Sequence, residues 1–291
     1  MAELNIDPST FHSCGEVKTV NVNGIPLACW HVEGGENTLV FLHGNSAAKE
    51  VFYKQMSFFA EQGYSLLAID LPGHGQSGDA ASDEIADETY TIPAYARAVT
   101  AILDAFNITK PLLVGWSLGG HIAIEMKGQN VSLAGICIMG TPPLGPGFEE
   151  FEQAFLPSPL AEVTTKAVAS EAEIIAYAKG LYGSACSTPE FFIDAALRTD
   201  GRARARMGEH WASAVDGHKQ RAVVGKADTP TLVFHGDQDK FISSAYMDTV
   251  EWGNLWGGNM HRQETVGHAP FFEAPKIFNA TLHIFAQCVF P

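Results

Sequence analysis

Residues 111–121, P-L-L-V-G-W-S-L-G-G-H, constrain this chain more than any other stretch. Leu112, Leu113 and Val114 form the short apolar run that a buried parallel strand needs, and Ile122, Ala123, Ile124, Glu125 and Met126 are good helix material. Between them stands Gly115-Trp116-Ser117-Leu118-Gly119. Strand, G-x-S-x-G, helix is the context in which a serine is held on a sharp, strained turn with its hydroxyl above a sheet. Gly115 and Gly119 lack Cβ atoms, so strand and helix can approach closely around it. The N–H of Leu118 is expected to point into the site from a helix N-terminus, where developing negative charge is stabilised. The same five residues would also suit a plain strand-to-helix turn, so chemistry requires partners elsewhere.

The rest of the chain alternates strand and helix patterns. Residues 17–32 read as a hairpin around Asn23-Gly24, the dipeptide preferred by a two-residue turn. Apolar strands are expected at 38–42, 65–71, 133–139, 231–234 and 261–266. Helices are expected at 49–62, 93–106 and 275–289. This predicts the α/β class: a mostly parallel central sheet flanked by helices, with antiparallel strands at one edge. From residue 148 to about 228 every segment reads helical, and Thr188 with Pro189 reads as an N-cap and first helical residue. The expected division is a core of residues 1–141 and 229–291 with a helical cap of 142–228 above the strand ends. Aromatic stripes such as Phe148, Phe151 and Phe155 are expected mainly to pack the cap onto the core.

Composition narrows the function. With 291 residues, 46% hydrophobic, the chain suits one large domain or a core with an insert. A net charge of −15 argues against nucleic acid and anionic membranes, and favours a neutral or apolar small molecule. No apolar run is long enough to span a bilayer, and the polar, acidic residues 1–10 do not read as a secretory signal. Five scattered cysteines (Cys14, Cys29, Cys137, Cys186 and Cys288) read as buried free thiols in a reducing compartment, so a cytoplasmic location is expected.

A serine needs a base, and the base needs an acid to fix its tautomer. His268 lies in Val266-Gly267-His268-Ala269-Pro270, between the last strand and the last helix. Asp237 and Asp239 follow the strand at 231–234; Asp239, farther into the loop, is the expected acid, while Asp237 suits the turn itself. The end of the strand after Ser117 offers only Gly140 and Thr141, which removes the competing acid position. The order Ser117, Asp239, His268 is the one this architecture uses. Loop 43–45 should supply the second oxyanion donor, the Asn45 N–H beside Gly44, partnering Leu118; the Asn45 amide can also face a substrate. His43 and His74 read as loop braces and His121 as an ordinary helix residue. Trp116 either walls the pocket or packs beneath it. Arg202, Arg204 and Arg206 read as a solvated or salt-bridged helix face.

These segments resemble the α/β-hydrolase superfamily throughout. Within it the chain is similar to the serine-dependent N-acyl homoserine lactone lactonases of the AidH type. The likeness rests on His43-Gly44-Asn45-Ser46, G-W-S-L-G-G-H-I-A-I-E-M, Gly140-Thr141-Pro142-Pro143, R-T-D-G-R-A-R, Gly253-Asn254-Leu255-Trp256 and G-H-A-P-F-F-E-A-P. It implies Ser117 as nucleophile, His268 as base, an acid at Asp239, an oxyanion hole from Asn45 and Leu118, and a cap tyrosine near the lactone, matching Tyr177. Gly44, Trp116 and Tyr177 are therefore candidate substrate contacts. The departures lie mostly at residues 145–172 and in the N-terminal extension. The expected reaction is lactone opening through an acyl-enzyme, without cofactor or metal, since the H-x-H-x-D-H and H-E-x-x-H signatures are absent. A general carboxylesterase or perhydrolase, or a small-molecule receptor without turnover, are the alternatives.

Overall fold

The computed structural model describes residues 14–144, 148–183, 187–213 and 217–290. Residues 1–10, the stretch 145–147 and Cys186, all drawn on above, lie outside the described residues.

Asn23 (φ 52) and Gly24 (φ 86) both adopt the left-handed conformation, and Val22 pairs with Ile25. That two-residue turn joins β1 (Glu16–Val22) to β2 (Ile25–Val32) as an antiparallel hairpin. The other strands are β3 (Thr38–Leu42), β4 (Ser65–Ile69), β5 (Leu112–Trp116), β6 (Gly135–Met139), β7 (Thr231–Gly236) and β8 (His261–Gln263). They form one sheet in the order β1-β2-β4-β3-β5-β6-β7-β8, parallel from β4 to β8. Residues in β3, β5 and β6 are buried on both faces, which explains their unbroken apolar sequences. The helices before the insert are α1 (Tyr53–Glu61), α2 (Asp83–Thr89), α3 (Ile92–Ala105) and α4 (Leu118–Gly128). Between β6 and β7 come α5 (Phe148–Ala154), α6 (Glu171–Leu181), α7 (Glu190–Arg198), α8 (Gly201–Ser213) and α9 (Gln220–Lys226). After β7 come α10 (Ser244–Met247), α11 (Pro270–Glu273) and α12 (Pro275–Val289).

Several local expectations need correction. The helix expected from residue 49 begins as a 3₁₀ turn, Lys49–Phe52, where the Lys49 N–H is drawn to Asp70 Oδ1 at 2.7 Å. Helix α7 starts after Pro189, which is itself extended (ψ 145), and Thr188 does not cap it. The last strand is three residues long, not six, because Val266 turns back to hydrogen-bond Gln263 and Gln238. Helix α2 was not anticipated; Ser82 caps it by accepting from Ile85 N, with Asp83 and Glu84 in its first turn.

Lys49 is fully buried. Its Nζ lies 2.8 Å from Asp70 Oδ2, 2.6 Å from Glu50 Oε1 and 3.0 Å from Gln76 Oε1. Asp70 also accepts from the Gln76 N–H at 2.8 Å. A buried ion pair is weak evidence for net stability, but this one fixes geometry: it ties the loop after β3 to the loop after β4. The loop after β3 carries Asn45.

The inserted helices are fastened to the core by polar contacts. Tyr90 donates to Asp200 (2.7 Å), Arg198 to Ser77 O (2.6 Å) and Arg202 to Ala80 O (2.7 Å). Arg202 pairs with Asp200 and Asp83, and Arg206 with Asp87 and Glu209, as a salt-bridged face should. Arg204 does not belong to that face. It is 3% exposed and donates to the carbonyls of Lys166, Ala196 and Thr199, because its position on α8 faces inward.

Candidate active site

Ser117 sits between β5 and α4 with φ 51 and ψ −115, the strained turn its sequence context demands. A Cβ on Gly115 would stand 2.6 Å from Gly120 Cα, and one on Gly119 would stand 2.8 Å from Leu42 Cβ. Only glycine allows that approach. The Ser117 N–H donates to Met139 O (2.9 Å), and the Thr141 hydroxyl lies 3.0 Å from both the Ser117 and Met139 carbonyls. The elbow is thus braced by the end of β6.

Asp239 follows β7, and His268 lies in the loop before α11. Asp239 Oδ2 is 2.8 Å from His268 Nδ1. Asp239 Oδ1 accepts the N–H groups of Phe241 (2.8 Å) and Ile242 (3.1 Å), so the carboxylate cannot rotate freely. With Nδ1–H directed at the carboxylate, the lone pair of His268 is on Nε2. Asp237 instead pairs with Arg262 at 2.8 Å. The His268 backbone is held on both sides: Glu273 accepts from the Gly267 and Ala269 N–H groups at 3.0 Å each, and Trp116 Nε1 donates to the His268 carbonyl at 2.9 Å.

Ser117 and His268 line one cavity of about 680 Å³, together with Asn45, Leu118 and Tyr177. Its remaining wall is largely apolar and comes from the insert and the loop after β7: Phe151, Phe155, Leu181, Met207, Phe241 and Ile242. Glu152 and Glu162, both exposed, stand at its rim, and no lysine or arginine is among its described lining residues. Among the described residues, no acceptor meets the backbone N–H of Asn45 or of Leu118. Two unpaired donors beside a serine can receive an oxyanion. Asn45 is 5% exposed; its Oδ1 accepts from Ser46 Oγ at 3.2 Å, while its Nδ2 has no partner. Tyr177 is buried and its hydroxyl lies 3.5 Å from Asn45 O.

Two candidate substrate contacts are placed elsewhere. Trp116 is fully buried and does not line the cavity; its ring packs against Tyr182, Phe271 and His268. Gly44 is behind Ser117, where a Cβ would stand 3.0 Å from the Trp116 ring. Both support the site from below because the indole occupies the space under the elbow. Sequence reasoning gave Glu273 no role of its own, although it lies in the stretch G-H-A-P-F-F-E-A-P, five residues after His268 at the end of α11.

Three other histidines are buried. His43 Nδ1 is 2.7 Å from Gly44 O and its Nε2 accepts the Leu71 N–H at 3.1 Å; His74 Nδ1 is 3.0 Å from Pro72 O. His121 is more than an ordinary helix residue: it is buried, 2.7 Å from Gln220 Oε1 on α9. Burial pushes His43 down to about 4, and His74 and His121 to about 3. An unfolded histidine titrates near pH 6.5, so below that the unfolded chain binds more protons and stability rises with pH. The contribution is complete above about pH 6.5 and disappears as pH falls toward about 3, roughly 3–5 kcal/mol per histidine. Thermal denaturation should show a midpoint that drops steeply between about pH 6.5 and 4. A flat midpoint over that range would contradict the neutral, buried assignment.

The match to the family model described as Alpha/beta hydrolase family covers residues 39–281. The chain belongs to the alpha/beta hydrolase family, and within it is a homologue of the AidH-type N-acyl homoserine lactonases. Its structure is similar to that of N-acyl homoserine lactonase AidH complexed with N-butanoyl homoserine: 34% identity, TM-score 0.87, covering 94% of this chain and 97% of that one. A 2-hydroxy-6-oxononadienedioate/2-hydroxy-6-oxononatrienedioate hydrolase from Paraburkholderia phymatum is 27% identical over 85% of this chain and 86% of its own. An esterase from Exiguobacterium antarcticum, at 20% identity and TM-score 0.74 over 94% and 99% of the two chains, shares the fold. Among the described residues no group of three or more His, Cys, Asp or Glu side chains is arranged to hold a metal ion. No described helix is long and apolar enough to cross a membrane.

Proposed function

We propose that this enzyme opens the lactone ring of N-acyl homoserine lactones. Ser117 is the nucleophile, His268 the base and Asp239 the acid that orients it. Ser117 Oγ attacks the ring carbonyl and passes its proton to His268 Nε2. The oxyanion is received by the N–H groups of Asn45 and Leu118, each worth about 3 kcal/mol in comparable sites. The ring C–O bond breaks, and protonated His268 returns the proton to the leaving alkoxide. Water, deprotonated by His268, then attacks the acyl-enzyme and frees Ser117. The apolar cavity takes the acyl tail, and Tyr177 and the Asn45 amide stand where the polar head would lie.

The observation that carries this reading is the Asp239–His268 pair opening, with Ser117, onto one apolar cavity in a chain 34% identical to AidH. The hydrolase from P. phymatum is named for dicarboxylate substrates. Among its described lining residues the cavity offers such a dianion Glu152 and Glu162 and no lysine or arginine, so that substrate class is disfavoured.

Mass spectrometry of products from a panel of N-acyl homoserine lactones tests the reading. The expected product gains one water and keeps its amide. Release of free homoserine lactone would instead show amide cleavage on the same residues. Untouched lactones with aryl esters still hydrolysed would reduce the function to that of a general esterase.

A further inference from the structure

His268 stands between two spaces. One is the apolar cavity it shares with Ser117. The other is a separate polar pit of about 110 Å³ with Gly267, His268 and Glu273 at its floor. The exposed residues Gln238, Lys240 and Thr265 form its rim. At ~30 Å³ each, three or four water molecules would fill it. Its wall includes Gly183, at φ 74, where a Cβ would stand 2.6 Å from the Glu273 carboxyl carbon. Any side chain there would close the pit.

Lactone chemistry gives such an opening a purpose. When a simple ester acylates a serine, the alcohol departs and leaves space through which water can enter. A lactone keeps its alcohol. The Ser117 Oγ–carbonyl bond forms and the ring C–O bond breaks, yet the whole substrate stays on the enzyme with its new hydroxyl tethered next to His268. The acyl tail still occupies the cavity. Without water at the carbonyl, the tethered hydroxyl re-attacks, expels Ser117 and closes the ring again.

The geometry points to the pit as the entry route and reservoir for the hydrolytic water, a conclusion that rests on the lactonase reading above. Water enters from this side, passes His268 into the cavity and, once beside Ser117, gives a proton to Nε2 as its oxygen bonds to the acyl carbonyl. The carbonyl–Oγ bond breaks, Ser117 recovers the proton from His268, and the open-chain acid leaves through the cavity.

Blocking the rim tests this without touching the catalytic residues. Thr265→Trp and Lys240→Trp are compared with the unmodified enzyme on an N-acyl homoserine lactone and on a chromogenic aryl ester, with Thr265→Ala as a control for the loss of threonine alone. The tryptophan variants should lose about tenfold in lactone kcat, while aryl ester turnover stays within about twofold. Intact-protein mass spectrometry should show an adduct carrying the mass of the entire lactone. Thr265→Ala should match the unmodified enzyme on both substrates. Aryl ester activity doubles as the folding control. Equal losses on both substrates, or unchanged lactone kcat in both tryptophan variants, would overturn the water route. If the unmodified enzyme fails to turn over lactones, the lactonase reading falls and the pit proposal falls with it.

Discussion

Ser117→Ala should lower kcat by about 10⁵-fold while leaving the fold intact. The loss is large because base and acid have nothing to activate once the hydroxyl is gone; only the oxyanion donors and the binding cavity remain. The fold should survive because, among the described residues, the Ser117 hydroxyl makes no hydrogen bond to the protein. The backbone is the more revealing readout. Serine at φ 51 and ψ −115 is strained by its own Cβ, and alanine keeps that strain. Ser117→Gly should therefore be as inactive as Ser117→Ala and more stable than either form by about 1 kcal/mol. Turnover that survives in both variants would show that another residue carries the acyl group.

The second large effect is expected at Asp239. Asp239→Asn should cost about 10⁴-fold in kcat. The reason lies in the other carboxylate oxygen. Oδ1 is fixed by the N–H groups of Phe241 and Ile242, and an asparagine placed there must keep its carbonyl oxygen toward them. Its NH₂ group then faces His268 Nδ1, which becomes an acceptor. The ring proton moves to Nε2, and the base is lost while its position is kept. Asp239→Ala should lose activity by a similar factor and also destabilise the loop, since two buried N–H groups lose their acceptor. An Asp239→Asn variant within about tenfold of the unmodified enzyme would break the link between tautomer and turnover.

Much of this arrangement is written locally in the sequence. The elbow is legible because strand, glycines and helix are contiguous. The hairpin is legible because Asn23-Gly24 alone suits its turn, and the choice of Asp239 over Asp237 follows from loop position. The unread parts depend on partners far away in the chain. Lys49 looks like a surface lysine until Asp70, 21 residues on, is brought against it. Arg204 shares a motif with two surface arginines, and only the orientation of α8 sends it inward. Trp116 beside a nucleophile suits wall or floor equally well; the packing of Phe271 and Tyr182 decides for floor. Glu273 sits in the quoted stretch G-H-A-P-F-F-E-A-P, but its role shows only once α11 brings its carboxylate back to the N–H groups on either side of His268.

The placement of the insert also governs how the molecule is made. β6 and β7 are neighbours in the sheet, yet about ninety residues of chain separate them. On a ribosome adding about 5–20 residues per second, the apolar strand Gly135–Met139 waits several seconds with one edge bare before its partner emerges. Throughout that interval the nascent chain already carries Ser117 on its elbow strand, while Asp239 and His268 are still untranslated. Of Ser117, Asp239 and His268, the serine is built first, and it has no base to activate it until almost the whole chain has been synthesised.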